Sequence, residues 1–152
     1  MLKIVGPATL QLPRNSLLIS PQQIFGYDSF VNLKGGKGVN MTLKRYITEM
    51  GMGVDVHGQD YNLAAKRAVS DAIRHSSLNF FQALNKSPQD MHITVKIGIP
   101  NPSSINPTEI AKELPYGTVT VEPERGGIEV PNDAGDDAIV IANAVIIVYL
   151  EE

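Results

Sequence analysis

Apolar and polar residues alternate most regularly between Met91 and Ile99. Met91, Ile93, Val95, Ile97 and Ile99 share one face, and His92, Thr94, Lys96 and Gly98 the other. A period of two marks a strand. Lys44 to His57 reads as a second extended segment. Between the two, Tyr61 to Ser76 repeats at helical spacing, with Ala65, Ala68, Val69, Ala72 and Ile73 as its apolar stripe and Asp60 as its N-cap. Small alanines predict close packing of this helix onto a sheet. Asn85 to Asp90 is a turn region. Asn106-Pro107-Thr108-Glu109 opens a short helix: a cap, a proline at the first position and a glutamate at the third. Pro115 requires that helix to end before it. Thr118 to Glu122 and Gly127 to Val130 read as a hairpin around Arg125-Gly126-Gly127. Pro131 to Asp137 is a polar turn, and Ala138 to Leu150 is apolar on both faces, the pattern of a central strand.

The order β-α-β-α-β-β-β predicts an α+β fold. We expect a two-layer sandwich, with one mixed or mainly antiparallel sheet of about five strands and two helices on one face. The opposite face then needs a cover that the chain does not supply. A subunit interface is the simplest cover, so a homo-oligomer is expected.

Residues 1–40 differ from this pattern. They show no sustained period, Pro7, Pro13 and Pro21 interrupt them, and they hold four basic residues and one acidic residue, against nine and fifteen in 41–152. We read 1–40 as an N-terminal extension and 41–152 as a single α+β domain. The run Lys34-Gly35-Gly36-Lys37-Gly38-Val39-Asn40 fits either of two readings. It is the translation of a purine-rich ribosome-binding site ahead of a natural start at Met41, or a flexible arm with a glycine hinge.

The 152 residues are 43% hydrophobic and 19% charged, as expected of a folding chain, and the net charge of −3 argues against a nucleic-acid partner. The chain has no cysteine, which excludes a thiol nucleophile, a thiolate zinc site and disulfides. No apolar run approaches the roughly 18 residues that cross a bilayer, and the prolines break any signal-peptide core, so no membrane partner and a cytoplasmic location are expected.

Candidate chemistry concentrates in the first strand. On strict alternation, Met50, Met52, Val54 and Val56 point one way, as an ordinary buried face, and Gly51, Gly53, Asp55 and His57 point the other. Glycine weakens a strand and is kept where another group approaches closely. We therefore expect Gly51 and Gly53 to open a floor for a ligand, with Asp55 and His57 as catalytic residues at its edge. Gly58, Gln59 and Asp60 complete the ligand-binding turn beside a helix N-terminus. His75 is a further ligand-binding candidate, packed beside His57; the alternative is a cation offsetting its helix dipole. Asp-x-His on one strand face is also a workable metal pair, so Asp55 and His57 are the candidate ligands of a divalent cation. Asp133, Asp136 and Asp137 lack calcium-loop spacing and read as a solvated turn.

Gly51-Met52-Gly53-Val54-Asp55-Val56-His57-Gly58 resembles G-x-G-x-D-x-H-G, the defining motif of a small family of uncharacterised bacterial and plant proteins. Gln59-Asp60, Asp71 to Leu78, Leu114-Pro115-Tyr116-Gly117 and Gly126 to Val130 are similar to that family as well. The resemblance runs from about Lys44 to the C-terminus and implies no activity. A local likeness links Gly53, Asp55 and His57 to methylerythritol cyclodiphosphate synthase, a small trimer whose first strand carries a metal-binding Asp-x-His. The later segments of that enzyme have no counterpart here, so its activity is not implied. The expected function is an oligomeric enzyme acting on a small polar or anionic metabolite. The alternative is a non-catalytic small-molecule-binding or assembly protein.

Overall fold

The computed structural model describes residues 42–152. The expected extension at 1–40 lies outside the described residues. The elements are β1 (Leu43–Asp55), α1 (Tyr61–Arg74), a one-turn α2 (Phe81–Leu84), β2 (His92–Ile99), α3 (Pro107–Ala111), β3 (Thr118–Arg125), β4 (Ile128–Pro131) and β5 (Ala138–Glu151). The five strands form one mixed sheet. Its order is β1-β5-β2-β3, with β4 also paired to β5. Because β1 and β2 both run antiparallel to β5, while β3 runs parallel to β2, the C-terminal ends of β1, β2 and β3 share one end of the sheet. The fold is thus α+β as expected, with three helices where two were expected.

Local signals act as anticipated. Asp60 Oδ1 accepts from the N–H of Leu63 at 2.9 Å and caps α1, and Asn106 accepts from Thr108 and Glu109 at the start of α3. Along β2 the odd-numbered residues Ile93 to Ile99 are buried and the even-numbered ones half-buried.

The expected β3–β4 hairpin does not form. β3 pairs with β2, and β4 pairs with β5 in the register Ile128↔Ile141 to Pro131↔Ala138. The cause is length. β5 has 14 residues and β2 only eight, so Ala138–Ile141 of β5 extends past the last β2 partner, Asn143. Gly126 and Gly127 carry the chain across the end of β2 to fill that place. A Cβ on Gly127 would lie 2.2 Å from the carbonyl oxygen of Ile141, and its φ is +64°, so only glycine passes there.

The two faces of β1 are reversed from expectation. Gly51 and Gly53 lie beneath α1, not beneath a ligand. A Cβ on Gly51 would stand 2.3 Å from the Ala72 nitrogen, and one on Gly53 would stand 2.1 Å from the Ala64 oxygen. The helix meets them with its buried residues Ala64, Ala65, Ala68 and Ala72. Glycine on the strand and alanine on the helix let the two backbones touch, which is why the glycine face is core. The methionine face is open: Met50 is 72% exposed and Met52 is 56% exposed. Ile128, Val130 and Ile139 are exposed too, and register places them on the same side. None of the three helices among the described residues covers this side of β1, β4 and β5.

Both sheet edges are guarded. Beside β1, Asp71 Oδ2 accepts from the N–H of Met52 at 3.0 Å, and Arg67 donates to the carbonyl of Val54. The other edge strand, β3, carries Pro123, which cannot donate to an incoming strand. No helix among the described residues is long and apolar enough to cross a membrane.

Candidate functional site

The β1–α1 loop is anchored by two carboxylates. Asp55 is 4% exposed. Its Oδ2 accepts from the N–H of Asp60 at 2.9 Å, and its Oδ1 lies 3.4 Å from Arg67 Nη1. Both oxygens are thus used to fold the loop back onto α1. The second anchor, Asp137, comes from the turn ahead of β5. Its Oδ1 accepts from Gly58 at 2.9 Å and from Ala138 at 2.8 Å, and its Oδ2 lies 3.0 Å from His57 Nδ1. The Gly58 N–H, the His57 ring and the Ala138 N–H, in that order, hold the Asp137 carboxyl below the usual carboxylate range. Gly58 and Gln59 both take positive φ, +90° and +51°, in the tight turn that brings His57 to this partner.

This geometry assigns a tautomer. An ionised carboxylate only accepts, so the His57 Nδ1 carries a proton and donates it to Asp137. In the neutral ring the lone pair then sits on Nε2. The side chain is 86% exposed, so that nitrogen is open to an incoming molecule. An imidazole oriented this way has one ring nitrogen placed to accept a proton from a bound molecule or return it.

Of the expected site residues, His57, Gly58, Gln59 and Asp60 are gathered in one loop. Asp55 stands behind them and does not converge with His57 on a common ligand position. Among the described residues, no group of three or more His, Asp or Glu side chains is placed to hold a metal ion. Gly51 and Gly53 turn their faces to α1. His75 is not beside His57. It caps the C-terminal end of α1, a helix of 14 residues and so about 21 Å long, and its Nε2 lies 3.8 Å from Asp71. His92 is likewise remote, 3.5 Å from Glu151.

The residue that sequence reasoning missed is Asp137. It lies 80 positions beyond His57 and belongs to no recognisable spacing, so nothing in its local sequence marks it. Around the loop, Tyr61 donates to Glu129 of β4, which raises the phenol's pKa. Asn62 bridges α1 to the start of α3, donating to the Ser104 carbonyl and accepting from the N–H of Asn106.

A mixed sheet with helices on one face, and a polar loop cluster at the C-terminal ends of its parallel strands, defines a small α+β domain. Residues 45–148 match the family model described as conserved hypothetical protein (Lin0512_fam), and this chain belongs to that family. It is also similar to a solved structure, an FtsZ-like protein of unknown function from Nostoc punctiforme. The identity is 38%, the match covers 74% of this chain and 99% of that one, and the TM-score is 0.67. No curated protein matches the chain.

Proposed function

We propose that this protein is an oligomeric enzyme acting on a small polar or anionic metabolite, with His57 as the proton-transfer residue and Asp137 as its orienting partner. The observation that carries the reading is the 3.0 Å contact between His57 Nδ1 and Asp137 Oδ2 on a ring that is otherwise open. Oligomerisation is supported by the uncovered face. Met50, Met52, Ile128, Val130 and Ile139 form an apolar surface that monomers seldom leave in water. Exposed Val56 continues this surface into the loop, so a second copy seated there would supply walls to the His57 site.

Incubation with pools of phosphate- and carboxylate-bearing metabolites, followed by mass spectrometry, tests the catalytic part. One pool should be consumed, and His57→Gln should lose on the order of 100-fold in rate. Consumption that survives undiminished in His57→Gln overturns the assignment. Sedimentation at micromolar concentration tests the assembly; a single species of 16.5 kDa defeats it. One observation favours a second reading, a non-catalytic binding or assembly protein. Neither the groove of about 320 Å³ beside β1 nor the cavity of about 230 Å³ at the opposite end of the sheet includes His57. Binding of a metabolite without turnover would select that reading.

A further inference from the structure

The cavity of about 230 Å³ lies at the end of the sheet away from His57, and it follows from a mismatch of lengths. α1 is 14 residues and covers about 21 Å, whereas β5, also 14 residues, runs about 47 Å. Past the last turn of α1 the cavity is walled by loop residues, among them Ser76, Leu78, Leu114 and Tyr116. Ile47, Ile146 and Val148 form the floor, and Leu78, Leu114 and Tyr116 stand around it. The volume suits a molecule of roughly benzene size or a little larger.

The lining is apolar except at Glu49, Ser76 and the hydroxyl of Tyr116 at the rim, and Glu49 is its one ionised side chain. Glu49 sits on the helix side of β1, two residues before Gly51, where its cross-strand partner is Ile146. The Ser76 hydroxyl donates to Glu49 Oε1 at 2.8 Å. Among the described residues Glu49 has no cationic partner, and its Oε2 has no hydrogen-bond donor. A half-buried carboxylate in an apolar wall is costly unless something positive faces it. Folding would be served better there by leucine or valine, which continue the floor.

We infer that this cavity is a binding site for a small organic cation: a primary ammonium on an apolar body of about five to eight carbons. The body fills the space over Ile47, Ile146 and Val148, and the ammonium donates to the free oxygen of Glu49. Charge-assisted contacts of this kind are about twice as strong as neutral ones, so the site selects amines over alcohols of equal shape.

Isothermal titration of the full chain with benzylamine, isoamylamine and phenethylamine, alongside benzyl alcohol and isoamyl alcohol, tests this. At least one amine should bind in the millimolar range or tighter, and at least tenfold more tightly than its alcohol. Glu49→Gln keeps the shape and can still accept from Ser76; it should reduce amine affinity about tenfold and leave the alcohol unchanged. Leu114→Trp, which fills the cavity, should abolish both, with the circular dichroism spectrum reporting that each variant folds. Equal affinity for amine and alcohol, amine binding undiminished in Glu49→Gln, or no binding of any amine to the full chain overturns the proposal. The last result is also what a resident segment of this chain or of a second copy in the cavity would give.

Discussion

The two faces of β1 use one strand in opposite ways. On one face, Gly51 and Gly53 remove side chains so that the α1 backbone lies against the strand. On the other, Met50, Met52 and Val54 carry apolar side chains onto a surface that no element among the described residues covers. Hydrophobicity alone would assign these faces in reverse. Closeness of approach, and not side-chain character, decides which face is core. Where two backbones touch, the core residue is the one that has nothing to bury.

The largest effect should come from filling the tight face. Gly53→Ala places a methyl group against the α1 backbone, which cannot move without dragging the whole helix. We expect a loss of about 3 kcal/mol, or roughly 10 °C in the thermal midpoint, measured by calorimetry. A midpoint within about 2 °C of wild type would mean that α1 does not ride on β1 this closely.

Removing the inner anchor comes next. Asp55→Ala leaves the N–H of Asp60 without its acceptor and takes from Arg67 its carboxylate neighbour, the guanidinium keeping only the Val54 carbonyl. A loss of about 2 kcal/mol is expected in urea unfolding, with the slope against denaturant unchanged. An unaltered midpoint would show that the loop holds itself.

The outer anchor should have a smaller effect that depends on pH. The Asp137 carboxyl is held below its ordinary value in the folded protein, so its contribution is complete above the unfolded value of about 4 and fades as pH falls through the lower folded value. Asp137→Asn should therefore lower the thermal midpoint at pH 7, and the difference from wild type should narrow below about pH 4. A difference that persists into strong acid would place the effect elsewhere. The His57 ring should also lose its fixed tautomer in this variant, seen in its nitrogen chemical shifts.

The smallest effect on folding should come from the open face. Met50→Ser with Met52→Ser removes apolar area that is already in water, so the stability of the folded unit should change by no more than about 0.5 kcal/mol. The same double variant should shift sedimentation toward the monomer. A loss of several kcal/mol without any change of mass would mean that the methionines belong to a core within one chain.

Much of the fold was legible locally. The alternation of Met91 to Ile99, the Asp60 cap and the Asn106-Pro107 helix start depend on residues within a turn or two of one another. The β3–β4 hairpin was misread for the opposite reason. Gly126-Gly127 has the composition of a tight turn, but the partners of β3 and β4 are set by the surplus length of β5, which no local window contains. Gly51 and Gly53 signal close approach in the sequence but not what approaches: a ligand and a helix demand the same missing Cβ.

The amino-acid sequence by itself determined the element types, the helix caps, the buried side of β2 and the presence of an imidazole beside a glycine turn, because each rests on periodicity or on hydrogen bonds within a few residues. Tertiary structure alone decided which face of β1 α1 covers, that β4 leaves β3 for β5, that Asp55 folds a loop while Asp137 orients His57, and that Glu49 faces an apolar cavity. Some of these contacts are near in sequence, 5 positions from Asp55 to Asp60 and 7 to 13 from β4 to β5, and others are 80 (His57 to Asp137) and 97 (Glu49 to Ile146) apart, but all depend on strand order and element length, which act only once the sheet has formed.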